Sequence, residues 1–410
     1  MSTEATRDPI LAAKQVAGRL SVVEIVTESI DDLMVEAADR VLAEPVVLDR
    51  DSPPLDVSAM DGYAVADLDV QGRDWPIAGR IPAGVPTIEI PDGSMVQIFT
   101  GAAVPRSAKA VIKREDVEEF ETHIRCRPDI GDVQAGQNIR RRGENALAGA
   151  VVCQAAARIR PSVAAMMATV GATDIRLHRK VRVAILTTGD EIIRPSETPR
   201  DHQIRNSNAA SVASVLGRHG WIDAPVHRHV PDDLKRTRQS LVEALNDFDA
   251  VVFCGGVSKG DHDYVPGVIA DCGGTIAFHG LPLRPGRPAL AATVAAKDAR
   301  TRLVVGLPGN PVSATVNARF LLLPMLASMS GMSDTEISRT LDPVLMDVWC
   351  DDDKTLPLHW CRLARRQGPS AAVVLAGQGS GDLVSLAAAD GFIHLQPGQP
   401  SRDAQPFYAW

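Results

Sequence analysis

The chain has 410 residues, 45% of them hydrophobic and 23% charged, with a formal net charge of -8. That length exceeds what one hydrophobic core organises and calls for several domains. A net acidic chain excludes nucleic acid as the main partner, since a phosphate backbone demands a basic surface or stripe.

The segment from Met1 to Ile10 has no basic region leading into an apolar stretch, so no secretory signal is expected. Residues from Ser21 to Ala43 are expected to be helical. Ser21 can cap, Glu24 follows three residues on, and Val22, Ile25, Val26, Ile30 and Leu33 recur at helical spacing before Glu44-Pro45. From Pro45 to about Val152 short strand-like pieces alternate with turn residues, which predicts a β-rich domain. Pro161 opens a second helix, Ser162 to Val170, closed by Gly171. Packing of the two helices would make the β-rich part an insertion.

Three later stretches share one pattern: Val181 to Glu191, Ala250 to Tyr264 and Leu303 to Ser313. Each is a β-branched and apolar run that stops in a turn of Gly, Pro, Ser, Thr, Asn or Asp, as expected of strands buried on both faces of a parallel sheet between helices. Asn206-Ser207-Asn208 caps a helix ending at Gly220, Pro231-Asp232-Asp233 begins another, and a strand is expected near Thr275 to Phe278. The apolar run Phe320 to Met329 is broken by Pro324 and too short for a bilayer, so no membrane partner is expected. Beyond Asp342 helical periodicity is lacking, and Ala372 to Leu375 and Phe392 to Leu395 suggest a small β barrel or sandwich. The fold class is thus multidomain α/β. The expected domains are a discontinuous helical part (1–45 and 150–179), an inserted β domain (46–149), a three-layer α/β domain (180–331) and a carboxyl-terminal β domain (332–410). The six cysteines are scattered without Cys-x-x-Cys or zinc spacing, which fits reduced thiols and a cytoplasmic location.

Ligands of such sheets bind beyond the carboxyl ends of the strands. Thr188, Gly189, Asp190 and Glu191 stand there, although capping of a following helix is by itself a sufficient role for either acid. After the second strand, Gly255-Gly256-Val257-Ser258 can turn backbone N–H groups onto an anion, with Asp261 and Asp263 just behind; that coincidence favours a binding role over a solvated turn. Arg284 and Arg287 flank Pro285-Gly286, and guanidinium forks suit phosphate oxygens, with a surface salt bridge as the competing role. Pro308 and Pro311 frame Gly309-Asn310 in a rigid turn. Carboxylates beside such backbone suggest a phosphorylated ligand held through a divalent cation. Arg140-Arg141-Arg142 is a local anion contact or a solvated loop. His227 and His229 share a strand face without a third metal ligand. Pattern alone makes Asp61-Gly62 a hairpin turn and Phe99-Thr100-Gly101 a strand end. There is no Walker A sequence, no Gly-x-Gly-x-x-Gly, no Gly-x-Ser-x-Gly and no His-Glu-x-x-His, which leaves nucleotide-dehydrogenase, hydrolase and zincin readings without their anchors.

Seven motifs in order carry a resemblance across nearly the whole chain: Ser58 to Val65, Thr100-Gly101, Gly136 to Gly143, Thr187 to Glu191, Ile204 to Asn208, Gly255 to Ser258 with Asp263, and Leu307 to Ser313. Together they resemble the molybdopterin molybdenumtransferases, the bacterial MoeA type and the matching domain of gephyrin. The resemblance implies four domains per subunit with a molybdopterin-binding α/β domain, and an elongated homodimer whose cleft joins the α/β domain of one subunit to the β domain of the other. It implies insertion of molybdate into adenylylated molybdopterin with loss of AMP, assisted by Mg2+ or, in some descriptions, Zn2+. The implied functional positions are Asp61, Thr100, Glu191, Asp232, Asp263, Pro308 and Pro311, with Ser258 and the Arg284/Arg287 loop near the ligand. Asp190, Glu191 and Asp263 are the expected metal ligands, and Asn310, Thr188, Gly189, Gly255 and Gly256 line the cofactor site. Asp61 and Thr100 would position molybdate or its water. A molybdopterin adenylyltransferase and apo-molybdoenzymes are the candidate protein partners. Three departures stand out: Asn145 where relatives often carry Asp, arginine at 284 and 287 where Lys is frequent, and Lys259 beside Ser258. Two other readings stay open, a molybdopterin adenylyltransferase and a non-catalytic molybdopterin-binding scaffold.

Overall fold

The computed structural model describes residues 8–29, 38–171, 174–258 and 263–410. The chain divides into two compact units: Met1–Glu44 with Gln154–Ala165 and Thr173–Trp410, and Pro45–Cys153 with Met166–Ala172.

The first unit begins with a helix the pattern did not suggest, α1 (Pro9–Ala17). Asp8 caps it, its carboxylate accepting the N–H groups of Ile10 at 2.8 Å and Leu11 at 3.2 Å. The helix expected from Ser21 is not formed at its start. Ile25–Ser29 is strand β1, antiparallel to β2 (Asp174–His178), and Val41–Leu42 pairs with the other side of β2. The Ser21 hydroxyl accepts the Thr301 N–H at 2.9 Å instead of capping a helix. Val22, Val23, Ile25, Val26 and Thr27 are β-branched and suit a pleated strand, and the partner strand from 150 residues downstream outweighs local helical spacing. Residues 30–37 of that expectation lie outside the described residues.

The α/β part holds a six-stranded sheet built from β3 (Val183–Thr188), β4 (Val226–Val230), β5 (Ala250–Cys254), β6 (Thr275–His279), β7 (Leu290–Ala295) and β8 (Thr301–Leu307), in the order β4-β3-β5-β8-β7-β6. Strands β4, β3, β5 and β8 are parallel. Strand β7, missing from the expected pattern, runs antiparallel to both β8 and β6, so the sheet is mixed at one side. Alternate side chains serve opposite faces. Ile185, Val252 and Val305 pack with Val212, Leu216, Val316 and Phe320, while Leu186, Phe253 and Val304 pack with Leu241, Ala244, Val268 and Ile269. The first group of partners comes from helices α2 (Asn208–Leu216) and α5 (Pro311–Met329), the second from α3 (Leu234–Asp247) and α4 (Val265–Asp271).

Helix α5 has 19 residues and passes through Pro324 because Ala318–Leu322 forms a π-helical turn ahead of it. By length and composition it is long enough to cross a membrane, contrary to expectation, but 89% of its apolar window is buried against the sheet and its neighbours. It is a core helix.

After helix α6 (Asp334–Leu341), five strands, β9 (Val344–Trp349), β10 (His359–Arg366), β11 (Ala371–Val374), β12 (Gly391–Leu395) and β13 (Asp403–Ala409), close into a barrel, with β10 pairing both β11 and β12. Leu283–Arg284 adds alongside β10, which ties the arginine loop to this barrel.

The second unit centres on a six-stranded sheet that includes Gly62–Val65 between Met95–Ile98 and Ala110–Lys113. Gly62 has no room for a side chain, since a Cβ there would overlap the Ile112 carbonyl.

Candidate functional site

A cavity of about 1130 Å³ opens at the carboxyl ends of β3, β5 and β8. Its wall brings together segments that are far apart in sequence: Thr187 to Gly189 with Glu191, Ile204 to Asn208, Asp232, Cys254 to Ser258, Asp263, and Pro308 to Pro311, with Gly381 and Leu383 from the barrel region. The sheet-end geometry therefore gathers Thr188, Gly189, Glu191, Asp232, Gly255, Gly256, Ser258, Asp263, Pro308, Asn310 and Pro311 around one space. Among the described residues, no aromatic side chain lines it. Glycine, hydroxyl, amide and carboxylate residues share the lining with Arg205 and several prolines, a wall with polar groups for a charged ligand.

Each turn has a local cause. Gly189 takes φ +128°, and a Cβ there would lie 2.5 Å from the Glu191 carboxylate, which folds back over it. The chain then forms the short strand Ile192–Ile193, parallel to Ile204–Arg205, so neither Asp190 nor Glu191 caps a helix. Gly255, at φ +99°, sits against Thr188, and His279 donates from Nε2 to the Val257 carbonyl at 2.8 Å, fixing the turn from behind. Asn208 donates to the Gly309 carbonyl at 2.6 Å, and its buried Oδ1 has no partner. At the floor, Asn206 donates from Nδ2 to Thr187 Oγ1 at 2.8 Å and to His227 Nε2 at 3.1 Å, while its Oδ1 accepts the Ala209 N–H. His227 Nε2 must then be an acceptor, so the ring is neutral with its proton on Nδ1. Loss of solvation, followed by the neighbouring His229, lowers its pKa in the same direction.

Among the expected metal ligands, Glu191 and Asp263 line the cavity. Asp190 does not; its carboxylate accepts the Asp232 N–H at 3.1 Å at the edge. Among the described residues, no three His, Cys, Asp or Glu side chains gather as a preformed metal cluster. Asp261 and Lys259 lie outside the described residues.

Arg284 and Arg287 line a second cavity of about 590 Å³, which shares Pro288, Pro308 and Asn310 with the first. Neither guanidinium has an acidic partner among the described residues. The barrel supplies further lining residues that sequence reading did not assign to a site, Trp360, Arg362 and Ser380 among them. Arg362 lies 4.4 Å from the Trp360 ring centre and Arg284 5.9 Å, so one indole orients two cations. Arg362 is also held by Asp352 through two bonds of 2.9 Å. Ser380 accepts from Asn310 Nδ2 at 3.0 Å, and its carbonyl accepts the Val312 N–H. No sequence signal ties Trp360 or Ser380 to a strand end 50 to 70 residues earlier.

In the second unit, strand pairing brings Asp61 and Thr100 together. Asp61 Oδ1 accepts both the backbone N–H and the hydroxyl of Thr100, each at 2.8 Å. The Thr100 N–H bond is the main cause that holds the Asp61 carboxyl below its ordinary value of 3.8. A lowered folded pKa means that the stabilising bonds are present above 3.8 and are lost as pH falls through the folded value. Thr100→Val removes one of the two bonds, so the Asp61 titration followed by NMR should move up toward 3.8; an unchanged midpoint would show that the hydroxyl bond does not form in solution. The Arg140 to Arg142 run is internally neutralised: Arg140 binds Glu144 and Asn145, Arg141 binds Asp56, and Arg142 binds Asp51. Asn145 thus takes part through its Oδ1 acceptor at 2.6 Å.

Comparison with known proteins places this geometry in context. Residues 4–171 match the family described as MoeA N-terminal region (domain I and II), and residues 184–328 match a probable molybdopterin binding domain. The molybdopterin molybdenumtransferase of Haemophilus influenzae is 32% identical over 304 residues, covering 72% of each chain. The protein of the same name from Synechocystis sp. is 29% identical over 378 residues, covering 90% of this chain and 92% of that one. A crystal structure of the molybdopterin biosynthesis MoeA protein from Pyrococcus horikoshii OT3 superposes with a TM-score of 0.79 at 24% identity, covering 98% of this chain and 100% of that one.

Proposed function

The chain belongs to the molybdopterin molybdenumtransferase family, enzymes of molybdenum cofactor biosynthesis, and we propose that it inserts molybdate into adenylylated molybdopterin with release of AMP. The observation that supports this most is the pair of adjoining cavities, one rich in backbone turns and carboxylates, the other carrying Arg284 and Arg287, which have no acidic partner among the described residues. A pyrophosphate-linked substrate and a tetrahedral dianion need such neighbouring sites.

In this reading the Gly255 to Ser258 turn and the Asn208 to Asn310 wall hold the phosphates and pterin, and the orphaned Asn208 Oδ1 accepts a ligand donor. Glu191, Asp232 and Asp263 are hard oxygen donors on one wall, a donor set that fits Mg2+, because magnesium takes one or two carboxylates and completes its shell with water and substrate phosphate. When bound beside Glu191, Asp232 and Asp263, such an ion would supply positive charge to offset that of the pyrophosphate. Arg284 and Arg287 hold molybdate with planar forks, and as arginines they do not transfer protons. Asp61, ionised at neutral pH, and Thr100 orient an oxyanion or its water. Catalysis is then placement and electrostatics, with no covalent nucleophile. The reading includes a homodimer in the cytoplasm, with a molybdopterin adenylyltransferase and apo-molybdoenzymes as donor and acceptor partners.

The test combines purified protein, adenylylated molybdopterin, Mg2+ and molybdate. Molybdate-dependent AMP release with molybdenum retained on the pterin is expected. Tight pterin binding without AMP would show a scaffold, and AMP transfer from ATP to free molybdopterin would show an adenylyltransferase. Sedimentation at equilibrium checks the dimer.

A further inference from the structure

Asn317 is fully buried in the apolar helix α5, among Val312, Ala314, Val316, Ala318 and Phe320. Its amide is only half satisfied. Nδ2 donates to the Ser313 carbonyl at 2.7 Å and to the Pro285 carbonyl at 3.3 Å, while Oδ1 is buried without a donor. Flipping the amide would set Oδ1 against those two carbonyls, so the orphan cannot be relieved by exchange. A buried acceptor left unpaired costs stability, and an apolar residue of similar size would serve the core better. The side chain instead meets the arginine loop: Gly286, at φ +114°, lies so close that a Cβ would overlap Asn317 Nδ2. The residue directly precedes the π-helical turn Ala318–Leu322, a local distortion often found at functional positions.

We propose that Asn317 is a positioning residue that seats the Arg284 to Arg287 loop for capture of a tetrahedral oxyanion. It grips the loop at Pro285 and leaves only enough space for glycine at 286, so the two guanidinium groups project from a fixed backbone into the smaller cavity. The inference rests on the reading of those arginines as the oxyanion site. Asn317 touches neither reactant and acts through the loop.

The experiment titrates molybdate alone into the full-length protein by calorimetry, for the wild type, Asn317→Ala, Asn317→Asp and Arg287→Ala, alongside melting curves and separate KM values for molybdate and adenylylated molybdopterin. Asn317→Ala frees the loop, and Asn317→Asp keeps the shape but turns an acceptor onto the Pro285 carbonyl. Both should raise the molybdate Kd and KM by about tenfold or more, as expected when anchoring groups drift by around an ångström. The KM for the pterin substrate should stay at the wild-type value, and Asn317→Ala should fold with a melting temperature lowered only by the small cavity it leaves. Wild-type molybdate affinity in both Asn317 variants, with binding lost in Arg287→Ala, would overturn the positioning role alone. Wild-type affinity in Arg287→Ala as well would overturn the arginine reading beneath it. An Asn317→Ala protein that fails to fold would show that the amide serves the core, and the proposal falls.

Discussion

Glu191→Gln should lower kcat/KM for molybdate insertion by about 10²–10³-fold, the usual loss when one preorganised electrostatic group is removed from a reacting site. The carboxylate lies at the carboxyl end of β3, folded over Gly189 and facing the larger cavity with Asp232 and Asp263 on the same wall. Gln keeps the length and the packing over Gly189 but removes the charge, so the effect should fall on catalysis and on Mg2+ dependence, not on folding. The residue is exposed, and its melting temperature should match the wild type. The decisive measurement is the rate of AMP release over a Mg2+ titration. A variant with wild-type turnover at every Mg2+ concentration would mean that the acid is merely solvated at the rim.

The second large effect concerns stability. Asp249→Ala should destabilise the protein by about 3–5 kcal/mol, the range for removing one partner of a buried ion pair. Asp249 is completely buried just before β5. It accepts from Arg179 at 2.6 and 2.7 Å and from the Arg182 N–H at 2.9 Å, and Arg302 lies 3.7 Å away, itself only 4% exposed. The Arg302 Nε and Nη1 atoms already lack hydrogen-bond partners, and losing the carboxylate leaves Arg302 with Asp298 and Arg179 with Glu24 as their remaining acidic partners. This cluster sits at the amino ends of the strands, opposite the cavity, so protein that remains folded should retain its kcat. Denaturant unfolding at constant m checks the stability loss. A shift under about 1 kcal/mol would mean that water replaces the carboxylate and that the cluster is not effectively buried.

The sequence reveals more about the sheet than about the site. Buried strands ending in Gly, Asp and Asn announce themselves because a strand covered on both faces must be continuously apolar and its turn must be polar; β3, β5 and β8 were legible for that reason. The collection of Glu191, Asp263 and Asn310 around one cavity followed from parallel strand direction alone. The segment after Ser21 was misread because its apolar residues fit either period, and only pairing with β2, 150 residues away, decided for a strand. Strand β7 was missed because Leu290 to Ala295 is largely small residues, which carry weak strand preference.

Composition, local period and turn chemistry by themselves determined the α/β class and the polar strand ends, and the ordered motifs carried the resemblance to the family. Those properties reside in neighbouring residues and in the one-dimensional order of the chain. Tertiary structure alone decided that Thr100 supplies two donors to Asp61, that Trp360 and Ser380 wall the arginine cavity, that Arg140 to Arg142 are neutralised, and that Asn317 lies under Gly286. The physical reason is that hydrogen bonds and ion pairs act over about 3 Å, and which distant side chains come that close is set by strand pairing and barrel closure, which no local pattern encodes.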